Sequence, residues 1–265
     1  MKYSGSIIIN KPRKIVVSYF ADPKYLANYQ EGFLKKALDD YLSQRTFERK
    51  RENPLMYNDG QGYIHYQKGS MVLYAMSDYI GEKKLNGALK KYVEKVQFQN
   101  PPYTTSIDMV NHIKEVTPDS LQYLIHDMFE TITLYRNRVV KAKSTKLKYG
   151  KYKVDIEFEV SKYRNDNQGK IYYGENVGDT LSYKNEKMKK PVLSVPLKDY
   201  IDIGIFTEEI VNGKKKTKEL YLQKHKITKI FNKITIIVDK KPSEVGVDPY
   251  NKLIDTQSDD NRIKI

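Results

Sequence analysis

The stretch Tyr152-Lys153-Val154-Asp155-Ile156-Glu157-Phe158-Glu159-Val160 alternates apolar and charged residues at every step. A pleated strand sends successive side chains to opposite faces, so this run reads as a half-buried strand with one wet face. Just before it, Lys148-Tyr149-Gly150-Lys151 reads as a turn, which pairs the run with an earlier strand over 139–147. Farther on, Tyr200-Ile201-Asp202-Ile203-Gly204-Ile205-Phe206 reads as another strand. Asn212-Gly213 is the strongest hairpin signal in the chain, since both residue types accept the positive φ of a tight two-residue turn. It leads to Glu219-Leu220-Tyr221-Leu222, and residues 230–238 supply a last strand. Strands joined by short turns, with no helices between them, argue an antiparallel β-sandwich. Residues 178–190 read as an exposed loop.

Working back from Arg136, the apolar period changes from two to three and four, the spacing of a helix face. Phe33, Leu34, Ala37, Leu38, Tyr41 and Leu42 mark one helix. Tyr66, Gly69, Val72, Leu73, Met76 and Ile80 mark a second, which Gly81 ends. Leu85, Ala88, Leu89, Tyr92, Val93 and Val96 mark a third, stopped before Pro101-Pro102. Thr105 or Ser106 caps a short helix carrying Ile107, Val110 and Ile113. Thr117-Pro118-Asp119 then reads as an N-cap, a proline at the first helical position and an acid in the first turn. Leu121, Leu124, Ile125, Met128 and Phe129 form the buried stripe of that helix.

The whole chain of 265 residues is long enough for a substantial core, and 30% charged residues make it a water-facing composition. No apolar run approaches the ~20 residues of a spanning helix. Nor does the N-terminus carry the apolar stretch of about 7–15 residues that a cleavable secretory signal needs. Localisation therefore stays open. With no cysteine, disulfides, thiol nucleophiles and thiolate metal sites are excluded together. The net charge of +14 raises a nucleic-acid or anionic-membrane surface. The excess is mostly lysine spread through loops, whereas nucleic-acid binders gather arginine and lysine on one face with aromatic platforms. A nucleic-acid partner is not expected.

The four histidines, His65, His112, His126 and His225, stand apart, with no H-E-x-x-H among them. They read as surface or packing residues, and no metal ligand or cofactor-binding residue is assigned. Serine elbows, Walker loops and dinucleotide glycine fingerprints are absent from the sequence too.

One segment, Tyr63-Ile64-His65-Tyr66-Gln67-Lys68-Gly69-Ser70-Met71-Val72-Leu73-Tyr74, opens a helix and resembles the Y-x-K-G element of the M1 aminopeptidases, zinc peptidases of the gluzincin group. The order downstream is similar as well. It runs from the helix over 83–96, through Tyr103-Thr104-Thr105-Ser106-Ile107, to a helix ending at Phe129-Glu130-Thr131-Ile132-Thr133-Leu134-Tyr135. The chain is particularly similar to the bacterial branch in which the peptidase unit is fused behind ABC-transporter permease-like membrane helices. Residues 200–204 and the closing Val247-Asp248-Pro249-Tyr250-Asn251-Lys252-Leu253-Ile254-Asp255 resemble that branch's last strands and terminal motif.

The resemblance implies an α+β fold: a helical region over 31–136, half of a thermolysin-like catalytic domain, then an antiparallel β-sandwich over 137–245 and a C-terminal tail over 246–265. Residues 1–30 form a leader outside the resemblance. It also implies that Tyr66 is the catalytic tyrosine. Hydrolysis builds negative charge on the scissile carbonyl oxygen, and a fixed phenol donor stabilises it. The departures from the family pattern are as informative. The H-E-x-x-H motif and the G-x-M-E-N substrate motif are both missing. Glu31, in Gln30-Glu31-Gly32-Phe33, superficially resembles the surroundings of the family's third zinc ligand, but it lies too close to Tyr66 for the family's order. The chain is therefore expected to be the C-terminal part of such a peptidase, inactive alone and without the family's zinc. Its expected partners are a peptide substrate or partner segment in the intact protein and a second copy through the helical region. A membrane enters only through an absent upstream region. The rival reading from another class is a peptide- or protein-binding scaffold module.

Overall fold

The computed structural model describes residues 23–166, 171–173, 195–211 and 213–265. The loop read over 178–190 and most of the leader lie outside them. The first helix, α1, spans Pro23–Phe47 and so begins within the stretch read as leader. A 3-10 turn at Leu55–Tyr57 leads to a π-helical turn, Tyr63–Lys68, which runs straight into α2, Gly69–Ile80. Gly81 ends α2 at φ 92°, a conformation that an L side chain resists, and α3 follows over Glu82–Val96. Of the two candidate caps for α4, Ser106–Val116, the structure uses Thr105, whose backbone N–H donates to Asp108 Oδ2 at 2.8 Å.

The next helix start differs from the sequence reading. Thr117 does not cap the helix after it; its hydroxyl donates back to the Ile113 carbonyl at 2.8 Å and closes α4. Pro118 is extended, with ψ 149°, and stands before a 3-10 turn at Asp119–Leu121 instead of inside a helix. Only then come α5, Gln122–Ile125, and a π-helical turn at His126–Glu130.

Eight strands complete the described chain: β1 Ile132–Lys146, β2 Tyr152–Asn165, β3 Ile171–Tyr173, β4 Asp199–Val211, β5 Lys214–Ile227, β6 Phe231–Val238, β7 Glu244–Val247 and β8 Arg262–Lys264. They form two four-stranded antiparallel sheets. In one, β2 lies between β1 and the pair β3 and β6; the other has the order β5-β4-β7-β8. The fold is thus α+β, helices first and two antiparallel sheets after. The turn at 148–150 and a hairpin connection between Val211 and Lys214 both stand where the sequence puts them; Asn212 itself lies outside the described residues. Tyr149 and Gly150 take φ 58° and 75°, and Val211 pairs with Lys214.

The change of period near residue 136 falls inside β1, because Ile132-Thr133-Leu134-Tyr135 is already extended and buried on both faces. Its β-branched and aromatic residues suit a pleated surface better than a helix end. One apolar cluster runs across both halves, from Val72, Met76, Val110 and Phe129 of the helices to Ile156, Phe158, Ile203 and Val245 of the sheets. A second gathers Leu34, Leu38, Tyr41, Tyr63, Ile64 and Met71 around Leu134 and Ile254. The closing segment is built in: β7 pairs with β4 and β8, and Tyr135 donates its N–H to the Ile254 carbonyl at 2.8 Å.

Candidate functional site

Tyr66 sits in the middle of the π-helical turn. An ordinary helix would put it on the apolar face with Gly69, Val72 and Met76. The wider turn breaks that step: Tyr63, Ile64 and Lys68 point inward, and Tyr66 is 71% exposed. Its ring lies 4.3 Å from that of His65, tilted by 53°. Asn58 Nδ2 meets His65 Nδ1 at 2.9 Å, and Asn58 Oδ1 accepts from the Gln61 N–H at 3.1 Å, so the turn is fastened at its start. At its end the Gly69 N–H reaches the carbonyls of Ile64 and Tyr66. A Cβ on Gly69 would meet the Ile64 carbonyl at 3.6 Å and Leu55 at 3.7 Å, ordinary contacts, so space alone does not demand this glycine.

Lys68 occupies the inward position that the period assigns to an apolar residue. It is fully buried, and its Nζ has no hydrogen-bond partner among the described residues. The nearest counter-charge is Glu52 Oε1 at 4.0 Å, and the Tyr41 ring centroid is 5.6 Å away. Glu52 is already engaged, because Arg45 Nε donates to its Oε2 at 2.5 Å and the Tyr41 hydroxyl donates to its Oε1. Burial therefore dominates and lowers the Lys68 ammonium to about 8, with Glu52 offsetting only part of that. Burial, followed by the Glu52 charge, pushes the Tyr41 phenol well up.

Two further ionic networks bind the helices to the sheets. Lys162 Nζ lies 2.5 Å from Asp127 Oδ2 and 3.0 Å from Asp199 Oδ1, and Arg164 Nη2 donates to Asp127 Oδ1 at 2.6 Å. The Tyr135 hydroxyl also donates to Asp199, at 2.9 Å. In the second, Lys252 Nζ bridges Asp78 Oδ1 at 2.7 Å and Asp202 Oδ2 at 2.8 Å, with Lys224 on the same two acids. Both networks balance cations against carboxylates and are structural. A cavity with room for about one water lies between them, lined by Met71, Asp127, Thr133, Tyr135, Lys252 and Ile254.

The sequence reading missed Lys162 and Arg164, although the signal was present. They continue the inward face of Val154, Ile156, Phe158 and Val160, so two buried cations had to find buried acids. The histidines are dispersed. His112 Nδ1 bonds the Asp108 carbonyl at 2.7 Å, His126 meets Glu130 at 2.9 Å, and His225 meets the Tyr221 hydroxyl at 2.7 Å. Among the described residues no group of three or more histidine or acidic side chains could hold a metal ion. Among them, too, no helix is long and apolar enough to cross a membrane. No protein-family model and no curated protein matches the chain.

Proposed function

We propose that the chain is the C-terminal part of an M1 aminopeptidase-like metallopeptidase, silent alone, in which Tyr66 donates to the oxyanion of the tetrahedral intermediate. In this reading the helices are half of a thermolysin-like catalytic domain, and the two sheets pack as the β-sandwich behind it. The observation that carries the reading is the division of Tyr66-Gln67-Lys68-Gly69 into an exposed phenol and a buried lysine with no hydrogen bond among the described residues. A fold gains nothing in stability from such a lysine, and short π-helical turns recur at functional sites. The turn fixes the backbone of Tyr66 while leaving its hydroxyl to whatever faces it. As the scissile carbonyl becomes tetrahedral, its oxygen gains charge, and a pre-positioned O–H stabilises it without reorganising.

The same face would pair with the segment that completes the cleft, or with a second copy in its absence. The test supplies the chain, with zinc in the buffer, first alone and then with the polypeptide encoded ahead of Met1. Hydrolysis of an aminoacyl 4-nitroanilide only in the mixture supports the reading. Hydrolysis by the chain alone, or a folded mixture without turnover, contradicts it. A second reading, a peptide-binding module, is favoured by exposed Tyr57 beside the Asn58–His65 contact; it requires micromolar peptide binding by the chain alone.

A further inference from the structure

The two long hairpins end together, far from Tyr66. Leu134, at the start of β1, packs in one cluster with Tyr63 and Ile64. The 15 residues of β1 then carry the 148–150 turn roughly 50 Å away at about 3.3 Å per residue. The β4–β5 ribbon points the same way: its base at Asp199 and Ile227 lies by the helices, and its last pair, Val211 with Lys214, marks the tip. Contacts join the two tips. Lys151 Nζ meets Asp239 at 3.3 Å, Lys240 Nζ meets Glu209 at 2.9 Å, and the Thr207 hydroxyl donates to the Lys241 carbonyl at 2.9 Å.

This end is strongly basic. Segments 146–151, 207–218 and 239–241 hold nine lysines, no arginine and three acids. All three acids are already paired: Glu208 with Lys215, Glu209 with Lys218 and Lys240, and Asp239 with Lys151. Lys146, Lys148, Lys216 and Lys241 stand exposed beside them. Apolar side chains project among these lysines. Tyr149 is 98% exposed and Ile210 77%, with Leu147 and Val211 also outside. Lysines alone would serve only to keep the edge strand β5 from pairing with another chain. Bare aliphatic and aromatic residues at the tips defeat that purpose, since water offers them nothing.

We infer that this end of the molecule docks on an anionic lipid bilayer, with lysines at the headgroups and Tyr149, Leu147, Ile210 and Val211 in the interfacial layer. Charge complementarity selects an anionic surface, and the apolar tips favour a lipid interface over phosphate in water. Nucleic acid would be met by arginine forks and a succession of stacking platforms, whereas these segments hold no arginine and a single aromatic residue, Tyr149. The inference does not rest on Tyr66. Docked this way, the tyrosine's face is held on the order of 50 Å above the lipid.

The test is co-sedimentation of the full chain with vesicles of phosphatidylcholine, alone or with about one-third phosphatidylglycerol. Each lysine near such a surface changes partition roughly fivefold, so Lys148→Gln/Lys216→Gln should weaken binding about 25-fold. Lys84→Gln/Lys91→Gln, the same charge change on exposed positions of α3, should leave it unaltered. Tyr149→Ser/Ile210→Ser should weaken it at every salt concentration. Absence of binding to anionic vesicles, equal binding to neutral ones, or equal loss in the α3 variant overturns the inference. So does displacement by a short DNA duplex together with indifference to Tyr149→Ser/Ile210→Ser.

Discussion

Replacing Lys68 with methionine should make the protein more stable. The ammonium is fully buried, finds no hydrogen bond among the described residues, and faces a carboxylate at 4.0 Å that Arg45 and Tyr41 already satisfy. Lowering a lysine from 10.5 to about 8 corresponds to work of roughly 3 kcal/mol against burial, at 1.36 kcal/mol per pH unit. Methionine keeps the length, fills the same space and leaves Glu52 its two donors, so Lys68→Met should gain about 1–3 kcal/mol at pH 7. The gain must also depend on pH with a defined sign. Between pH 8 and 10.5 the unfolded chain holds this proton and the folded chain does not, so wild-type stability rises with pH across that window. The variant lacks that slope, and the gap between the two proteins should close toward pH 10. Urea unfolding of both at pH 7, 8.5 and 9.5 reads it directly. A loss of more than about 1 kcal/mol in the variant, or a gap that ignores pH, would refute the reasoning. A stabilising substitution here would also show that Lys68 serves something other than the fold.

Other consequences are independent of that lysine. Asp127→Ala leaves Arg164 without its 2.6 Å partner and strips Lys162 of one of its two acids, so it should cost about 3–5 kcal/mol by urea unfolding. Gly204→Ala sets a methyl 2.6 Å from the Phe206 ring, which Arg262 covers at 4.4 Å, and should cost about 1–3 kcal/mol in the same assay. Burial raises the Asp255 carboxyl to about 6, although the Asn137 and Gln257 N–H groups donate to it. The folded state then holds its proton where the unfolded chain has lost it. Stability should fall by about 2–3 kcal/mol as pH rises from about 4 to 6, and Asp255→Asn should flatten that slope.

Much of the fold was legible because two periods are simple. The alternation of 152–160, the turn at 148–151 and the Asn212-Gly213 hairpin state their structure locally, and the helices over 33–42 and 69–80 show their faces. The misreadings have local causes. Ile132-Thr133-Leu134-Tyr135 carries no alternation because helices and the C-terminal segment bury both its faces. Thr117 prefers the carbonyl behind it to the amides ahead. Tyr66 turned outward because a π-helical turn does not keep the step on which the helical face was drawn. The Asp78, Asp202, Lys224 and Lys252 network joins residues far apart in sequence, and no local pattern could have paired them.

The most direct measurement is turnover of an aminoacyl 4-nitroanilide by the chain mixed with the polypeptide encoded ahead of Met1, comparing wild type with Tyr66→Phe. The side chain is 71% exposed and its hydroxyl has no hydrogen bond among the described residues, so stability should be unchanged within about 0.5 kcal/mol. As the oxyanion donor it should carry a factor of about 10²–10³ in kcat. A fall of that size at unchanged stability is the predicted result; a Tyr66→Phe protein that turns over at the wild-type rate would contradict the account.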